Sequence, residues 1–252
     1  MQTSVWKRFA ALYGKEMREL LPEMLVVLGL VTVTTVLYYL NPGDYSRLII
    51  IPYIMLAGLV GLLPFISSCR LSREWSSNTI YMVMSLPVKG GMILGTKLLA
   101  LLSQYLINSA FLIMAGFLLV LPHLNLINSG DMAQLNALLQ RGFVPMLLAY
   151  LLSLAGLSYI ISLSFFSQLA GKLVSRFSGA FTVLVFIGTF WLSGHLVDLI
   201  MVQTGLQLEI KNQFQLVESA NAFLGLNSFI LASLALLLLG LGASVYNRRI
   251  EL

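Results

Sequence analysis

Long apolar runs uninterrupted by Asp, Glu, Lys or Arg dominate the chain, and the polar positions gather between them. Six such runs stand out, Met24–Leu40, Leu48–Cys69, Leu98–Leu121, Phe143–Ala170, Phe177–Val197 and Ala222–Tyr246. A helix crossing about 30 Å of hydrocarbon needs roughly 20 largely apolar residues, so each run predicts a membrane span. A membrane barrel would instead show segments of about ten residues with strict alternation, and runs such as ASLALLLLGLGASVY do not alternate. Composition agrees, with 58% hydrophobic residues and only 10% charged ones, and a mean hydropathy of +0.90. The segments between the runs are too short for a large soluble domain. One membrane domain over residues 1–252 is expected, with spans at about 24–40, 48–69, 98–121, 143–170, 177–197 and 222–246.

The charges orient these spans. With the N-terminus in the cytoplasm, Lys7, Arg8, Lys15, Arg18, Arg70, Arg73, Lys89, Lys97, Lys172, Arg176, Arg248 and Arg249 fall inside, and Arg47, Arg141 and Lys211 outside, a division of 12 to 3. Cytoplasmic segments carry the excess of Lys and Arg, so both termini are expected in the cytoplasm. The residues before the first run include Glu16, Glu19 and Glu23, and the run ends in YYLNPGD rather than a small-residue cleavage site, so an uncleaved N-terminus is expected. Cys69 is the single cysteine, which excludes an intrachain disulfide and a cysteine metal cluster.

Ahead of the first span the period becomes helical. Trp6, Phe9, Leu12, Tyr13, Met17 and Leu20 share one side of a wheel and Lys7, Arg8, Lys15 and Arg18 the other, which predicts a helix over about 4–21 lying in the membrane interface. Glu16 breaks the pattern by pointing toward the apolar side, so it either snorkels or meets a polar partner. The stretch LPVKGGMILGTKLL superficially suggests a phosphate-binding loop. Its order is Gly95-Thr96-Lys97, however, and it opens a membrane span rather than a strand-to-helix turn. Pro87 lacks a backbone donor and disfavours a helical Leu86, so a short helix through Ile80–Ser85 is expected to end there. Gly90 and Gly91 would then permit the reversal into the third span.

Read from Arg73, the segment REWSSNTIYMVMSLPVKGGMILGTKLLALL resembles the cytoplasmic coupling segment of the type-2 family of ABC transporter permeases, with Glu74, Thr79, Leu86, Pro87 and Lys97 at matching positions. Asn78 stands where Gly is commoner, and Met82, Val83 and Met84 where Leu is usual. YGKEMRELLPE likewise resembles the family's elbow helix, with Lys15 and Glu16 at its Lys-Glu pair. Met201–Asn221 resembles the short extracytoplasmic helical element between the last two spans. The order of these features covers essentially the whole chain. The resemblance implies an all-α membrane protein of six transmembrane helices, with an N-terminal elbow helix (Trp6, Lys15, Glu16, Arg18) and a cytoplasmic coupling helix between spans two and three (Arg73, Glu74, Trp75, Thr79, Leu86, Pro87, with Lys97 entering span three). It further implies a bacterial cytoplasmic membrane, two soluble ABC ATPase subunits, and a second permease, identical or related. The ATP and Mg would be held in the partner ATPase, with no cofactor in this chain and no nucleic acid.

The spans as drawn hold no Asp, Glu, Arg or Lys, with Lys97 at the cytoplasmic edge, which disfavours an ion-coupled carrier. Enzyme motifs such as H-E-x-x-H and G-x-S-x-G are absent. His195 and Asp198 would share a helical face as an outer-surface polar pair. Polar residues inside spans, among them Thr35, Gln104, Asn108, Ser158 and Ser162, are candidates either for interhelical hydrogen bonds or for lining a pathway. Gln104 and Asn108 share one helical face. Small residues expected at close helix contacts are Ala57 with Gly61, Ser158 with Ser162, and Gly240 with Gly242. The expected function is export of an amphipathic or hydrophobic substrate. The alternatives are a non-transporting sensor or scaffold and an ion-coupled carrier.

Overall fold

The computed structural model describes residues 5–40, 50–71, 89–124, 129–174, 177–204 and 213–250. Among them there is no strand. Six helices form: α1 Val5–Leu40, α2 Ile50–Ser68, α3 Gly90–Leu124, α4 Ser129–Gly171, α5 Ser178–Thr204 and α6 Gln213–Ile250. Each contains a stretch long and apolar enough to cross a membrane. Backbone groups in hydrocarbon must be paired internally, and a helix does this within one segment.

The helices outrun the apolar runs. α1 has 36 residues and α4 has 43, about 54 and 65 Å at 1.5 Å per residue. Residues 5–21, expected as a separate interfacial helix, are continuous with the first span in α1, and Pro22 lies inside the helix. The continuity has a visible cause. The buried positions Leu20, Met24, Val27, Val31 and Tyr38 recur at spacings of three, four and seven, so one inward stripe runs through the junction without a change of phase. Similarly, Met201–Asn221 is no separate element where it is described: Met201–Thr204 closes α5 and Gln213–Asn221 opens α6.

The chain divides into two compact units. The first comprises Met1–Ser67 and Thr96–Gln134, the second Ser68–Gly95 and Leu135–Leu252. In the first unit Val27 and Val31 of α1, Leu56 and Val60 of α2 and Ala115 of α3 form an apolar core, flanked by Tyr53, Leu63, Tyr105, Phe111 and Leu112. In the second, Tyr159 and Leu163 of α4 pack with Ala235 and Leu238 of α6, and Phe186 of α5 joins them. α5 otherwise turns apolar side chains outward, with Leu184 70% and Trp191 65% exposed. Such a helix suits lipid, which is as apolar as the side chains it touches.

Small residues act selectively. A Cβ on Gly242 would meet Leu94, Phe166 and Leu169 at ordinary contact distance, whereas Gly61 and Gly240 face open space. Ala57 is exposed. Among the described residues the expected α2 notch therefore makes no packing contact. Gly90 and Gly91 do not adopt the left-handed backbone, and the residues before Lys89 that would complete the expected reversal lie outside the described residues. Gly90 instead makes room for the Tyr246 ring, and its N–H donates to Asn247 Oδ1 at 2.9 Å. Gly171 ends α4 against the start of α5: an added methyl would meet Thr182 Oγ1 and lie 2.9 Å from the Ser178 carbonyl.

A backbone carbonyl cannot swing aside as a side chain can. Gly171→Ala is expected to destabilise the purified protein by about 2 kcal/mol through overpacking. Gly240→Ala, in open space within α6, should be neutral or up to about 1 kcal/mol stabilising. Denaturation curves of the two variants in the same detergent check this, and equal curves would mean that α4 and α5 do not meet at Gly171.

Candidate functional site

The notable chemistry of the first unit is a polar ladder between α1 and α3. Both helices repeat the same spacing along their facing stripes: Glu16, Leu20, Glu23 and Val27 on α1, and Lys97, Leu101, Gln104 and Asn108 on α3. The four, three, four spacing keeps each set on one helical face. Lys97 Nζ donates to Glu16 Oε1 at 2.9 Å and Oε2 at 3.0 Å. One heptad further, Gln104 Nε2 donates to Glu23 Oε2 at 3.3 Å. Both rungs join residues 81 apart in sequence, and the Tyr39 hydroxyl donates to the Leu118 carbonyl across 79. A nearly constant offset means that α1 and α3 run in the same direction and in register. Tyr13, whose hydroxyl donates to Ser103 Oγ at 2.8 Å, departs from it with an offset of 90.

Lys97 and Glu16 side chains are only 8% and 14% exposed. Lys97 is thus buried against α1, and its charge is compensated by Glu16. Glu16 points inward because its partner is there, which decides between snorkelling and pairing. α2 contributes Ser67, whose Oγ donates to Glu23 Oε2 at 2.6 Å.

Beyond these rungs the ladder loses its partners. Gln104 and Asn108 are both fully buried, and Gln104 Oε1 and both amide atoms of Asn108 make no hydrogen bond. The α1 residue in register with Asn108 is Val27, which offers no polar atom. Asn108 lies near the middle of the apolar run Leu98–Leu121, with the Val31 and Ala115 core beyond it.

Other expected residues take simpler roles. Thr35 Oγ1 donates to the Val31 carbonyl at 2.8 Å and lies 3.2 Å from the Tyr53 hydroxyl, so it ties α1 to α2. In the second unit Ser158 donates back to the Ala155 carbonyl at 2.7 Å, and Ser162 is fully buried with an unpartnered hydroxyl. Gln168 Nε2 donates to Ser164 Oγ at 2.8 Å and to the Ser68 carbonyl at 3.2 Å. Tyr159 and Ser193 share a short hydrogen bond. Trp6 is 80% exposed and stacks edge-on against Phe9. Lys15 pairs with Glu19 at 3.4 Å on an exposed face, and Arg18 is exposed. His195 packs edge-on against Trp191 with ring centroids 4.3 Å apart, one turn away from Asp198. Arg73, Glu74, Trp75, Thr79, Leu86 and Pro87 lie outside the described residues. No group of His, Cys, Asp and Glu suited to a metal ion occurs among the described residues.

Glu23 and Ser67 escaped the sequence reading because Glu23 precedes the apolar run and Ser67 is an ordinary small residue near the end of another. The available signal was the repeat itself: Glu16 and Glu23 are seven apart, as are Lys97 and Gln104. No protein-family model, curated protein or solved structure matches this chain.

Breaking a buried ion pair strands the remaining charge, so Glu16→Gln or Lys97→Met should each destabilise the protein by about 3 kcal/mol. The double variant E16Q/K97M, which removes both charges together, should lose well under the sum of the two single losses. Chemical denaturation of the four proteins gives the coupling directly, and additive effects would show that the two side chains act independently.

Proposed function

We propose that the chain is the membrane-spanning permease subunit of a type-2 ABC exporter, working as a pair of permeases with two ATP-hydrolysing subunits and moving an amphipathic or hydrophobic substrate across a bacterial cytoplasmic membrane. The observation that carries this reading is the order of sequence features: Lys15-Glu16 in the N-terminal helix, the segment from Arg73 through Leu86-Pro87, and Lys97 at the entry to the third span. The Glu16–Lys97 pair supports it, because residues of two of these resembling segments meet in one 2.9 Å contact.

The chemistry suits a transmitter rather than an engine. Hydrolysis and its Mg belong to the partner ATPase. Its closure would press on Glu74–Pro87, and α3, which follows that segment, would carry the push inward. Lys97 grips Glu16, so α1 would move with α3. An ion-coupled carrier is the alternative to be tested against, since Glu23 is a half-buried ionisable group bonded to Ser67 of α2 and Gln104 of α3.

Mass spectrometry of proteins retained by the tagged full chain from its native membrane in mild detergent tests the proposal. Recovery of a soluble subunit with phosphate-loop ATPase motifs is expected. Its reproducible absence from intact complexes would favour a scaffold or carrier, and transport driven by an ion gradient without ATP would identify the carrier. With the partner in hand, Glu74→Lys should lower permease-stimulated ATPase activity about tenfold, the effect of losing about 1.4 kcal/mol of coupling, while expression is unchanged. Undiminished stimulation would remove the segment from the mechanism.

A further inference from the structure

Three polar atoms without partners, fully buried on one face of α3, have a chemical specification. A buried donor or acceptor left unmade costs about 1–3 kcal/mol, and Gln104 Oε1, Asn108 Oδ1 and Asn108 Nδ2 are all in that state. Residues four apart on a helix face each other across about 5–6 Å between Cβ atoms, so one small group between the two amides reaches both. Gln104 has its orientation fixed, because its NH2 donates to the Glu23 carboxylate and a flip would set carbonyl oxygen against carboxylate oxygen. Its open atom is therefore an acceptor. Asn108 offers an acceptor and a donor whichever way its amide is turned.

We infer that Gln104 and Asn108 form a binding site for a neutral group that both donates and accepts hydrogen bonds, a water molecule or the hydroxyl of an amphipathic molecule. Such a group donates to Gln104 Oε1 and accepts from Asn108 Nδ2. A bare cation leaves the Asn108 N–H unpaired. An anion leaves the Gln104 carbonyl unpaired and adds negative charge near Glu23. Val27, in register with Asn108, and the core that includes Val31, Leu112 and Ala115 are apolar and offer no polar atom to a larger head group. Ser162 of the second unit also carries an unpartnered buried hydroxyl, but it stands alone on its helix face, with no second open group beside it to define a ligand.

The hydroxyl arm deepens the transport reading by naming a substrate class, whereas the binding itself holds whatever drives the protein. Two measurements on the full chain test it. The first is a crystal structure in lipidic mesophase at a resolution that shows water, where density within hydrogen-bond distance of Gln104 Oε1 and the Asn108 amide is expected. The second is thermal unfolding in lipid nanodiscs with three additives of equal chain length: dodecanol, dodecyltrimethylammonium and dodecanoate. Dodecanol should raise the midpoint of the wild type by about 3 °C more than that of the near-isosteric N108L variant. The charged additives should shift both proteins alike.

Density together with the selective dodecanol shift establishes the site and an alcohol-bearing ligand. Density without that shift establishes it as a water site. Neither signal, or an N108L-sensitive shift caused by the cation or the anion, overturns the inference. The crystallographic arm needs no variant, so it remains decisive if N108L does not fold. Because neither measurement involves the ATPase, failure of the exporter proposal would leave these results standing and separately readable.

Discussion

Desolvating a carboxylate and an ammonium between apolar helices costs several kcal/mol for each ion, and only close, well-aligned pairing offsets it. Lys97 reaches both oxygens of Glu16 within 3.0 Å, and that geometry fixes much else in the first unit. Sliding α1 along α3 by one turn would leave both charges facing hydrocarbon or leucine. The same offset then brings Gln104 to Glu23, and Ser67 of α2 completes the carboxylate's partners. Farther along, the stripe turns apolar and the Val27, Val31, Leu56, Val60 and Ala115 core takes over. Register is set by polar contacts at one end and close packing is supplied at the other.

This division of labour follows from the solvent. In water, burying Leu and Val drives association; in lipid, an apolar side chain gains little by exchanging acyl chains for another helix, and packing and hydrogen bonds hold helices together. Outward-facing Leu184, Trp191 and Phe229 are accordingly unremarkable, while the interior collects serines, glutamines and an ion pair. The second unit uses the same means, with Ser68, Ser164 and Gln168 joined by hydrogen bonds and Gly242 admitting Leu94, Phe166 and Leu169.

The spans were legible because uncharged runs of about 20 residues have few other uses. Their ends were not, because helix continuation depends on whether an inward stripe finds partners. Residues 5–21 carry an amphipathic pattern that reads as a surface helix, yet Tyr13, Glu16 and Leu20 continue the phase of Met24 and Val27. Glu16 was the informative anomaly, since a carboxylate on an apolar side must have a reason. What the sequence withheld was the partner's identity, which requires knowing that α1 and α3 adjoin. Gln104 and Asn108 were visible as a polar pair from their spacing. Their unequal satisfaction was not, because it turns on Glu23 and Val27 standing at the matching heights of α1. The residues bearing most of the resemblance to a coupling segment lie outside the described residues, so that part of the reading rests on sequence.

A bistable element needs two arrangements close in free energy, and the ladder indicates which motions the first unit permits. Rotation or tilt of α1 and α3 as one body leaves both rungs intact. Translation of one past the other by a turn breaks the ion pair and costs about 3–5 kcal/mol before any compensation. The low-cost motion is thus the concerted one, with α1 following α3. Asn108 has no comparable anchor, since its amide is bonded to nothing in the bundle. Rearrangement around it sacrifices no existing hydrogen bond and can supply the missing ones. The polar stripe is therefore stiff at Glu16–Lys97 and adaptable one and a half heptads later.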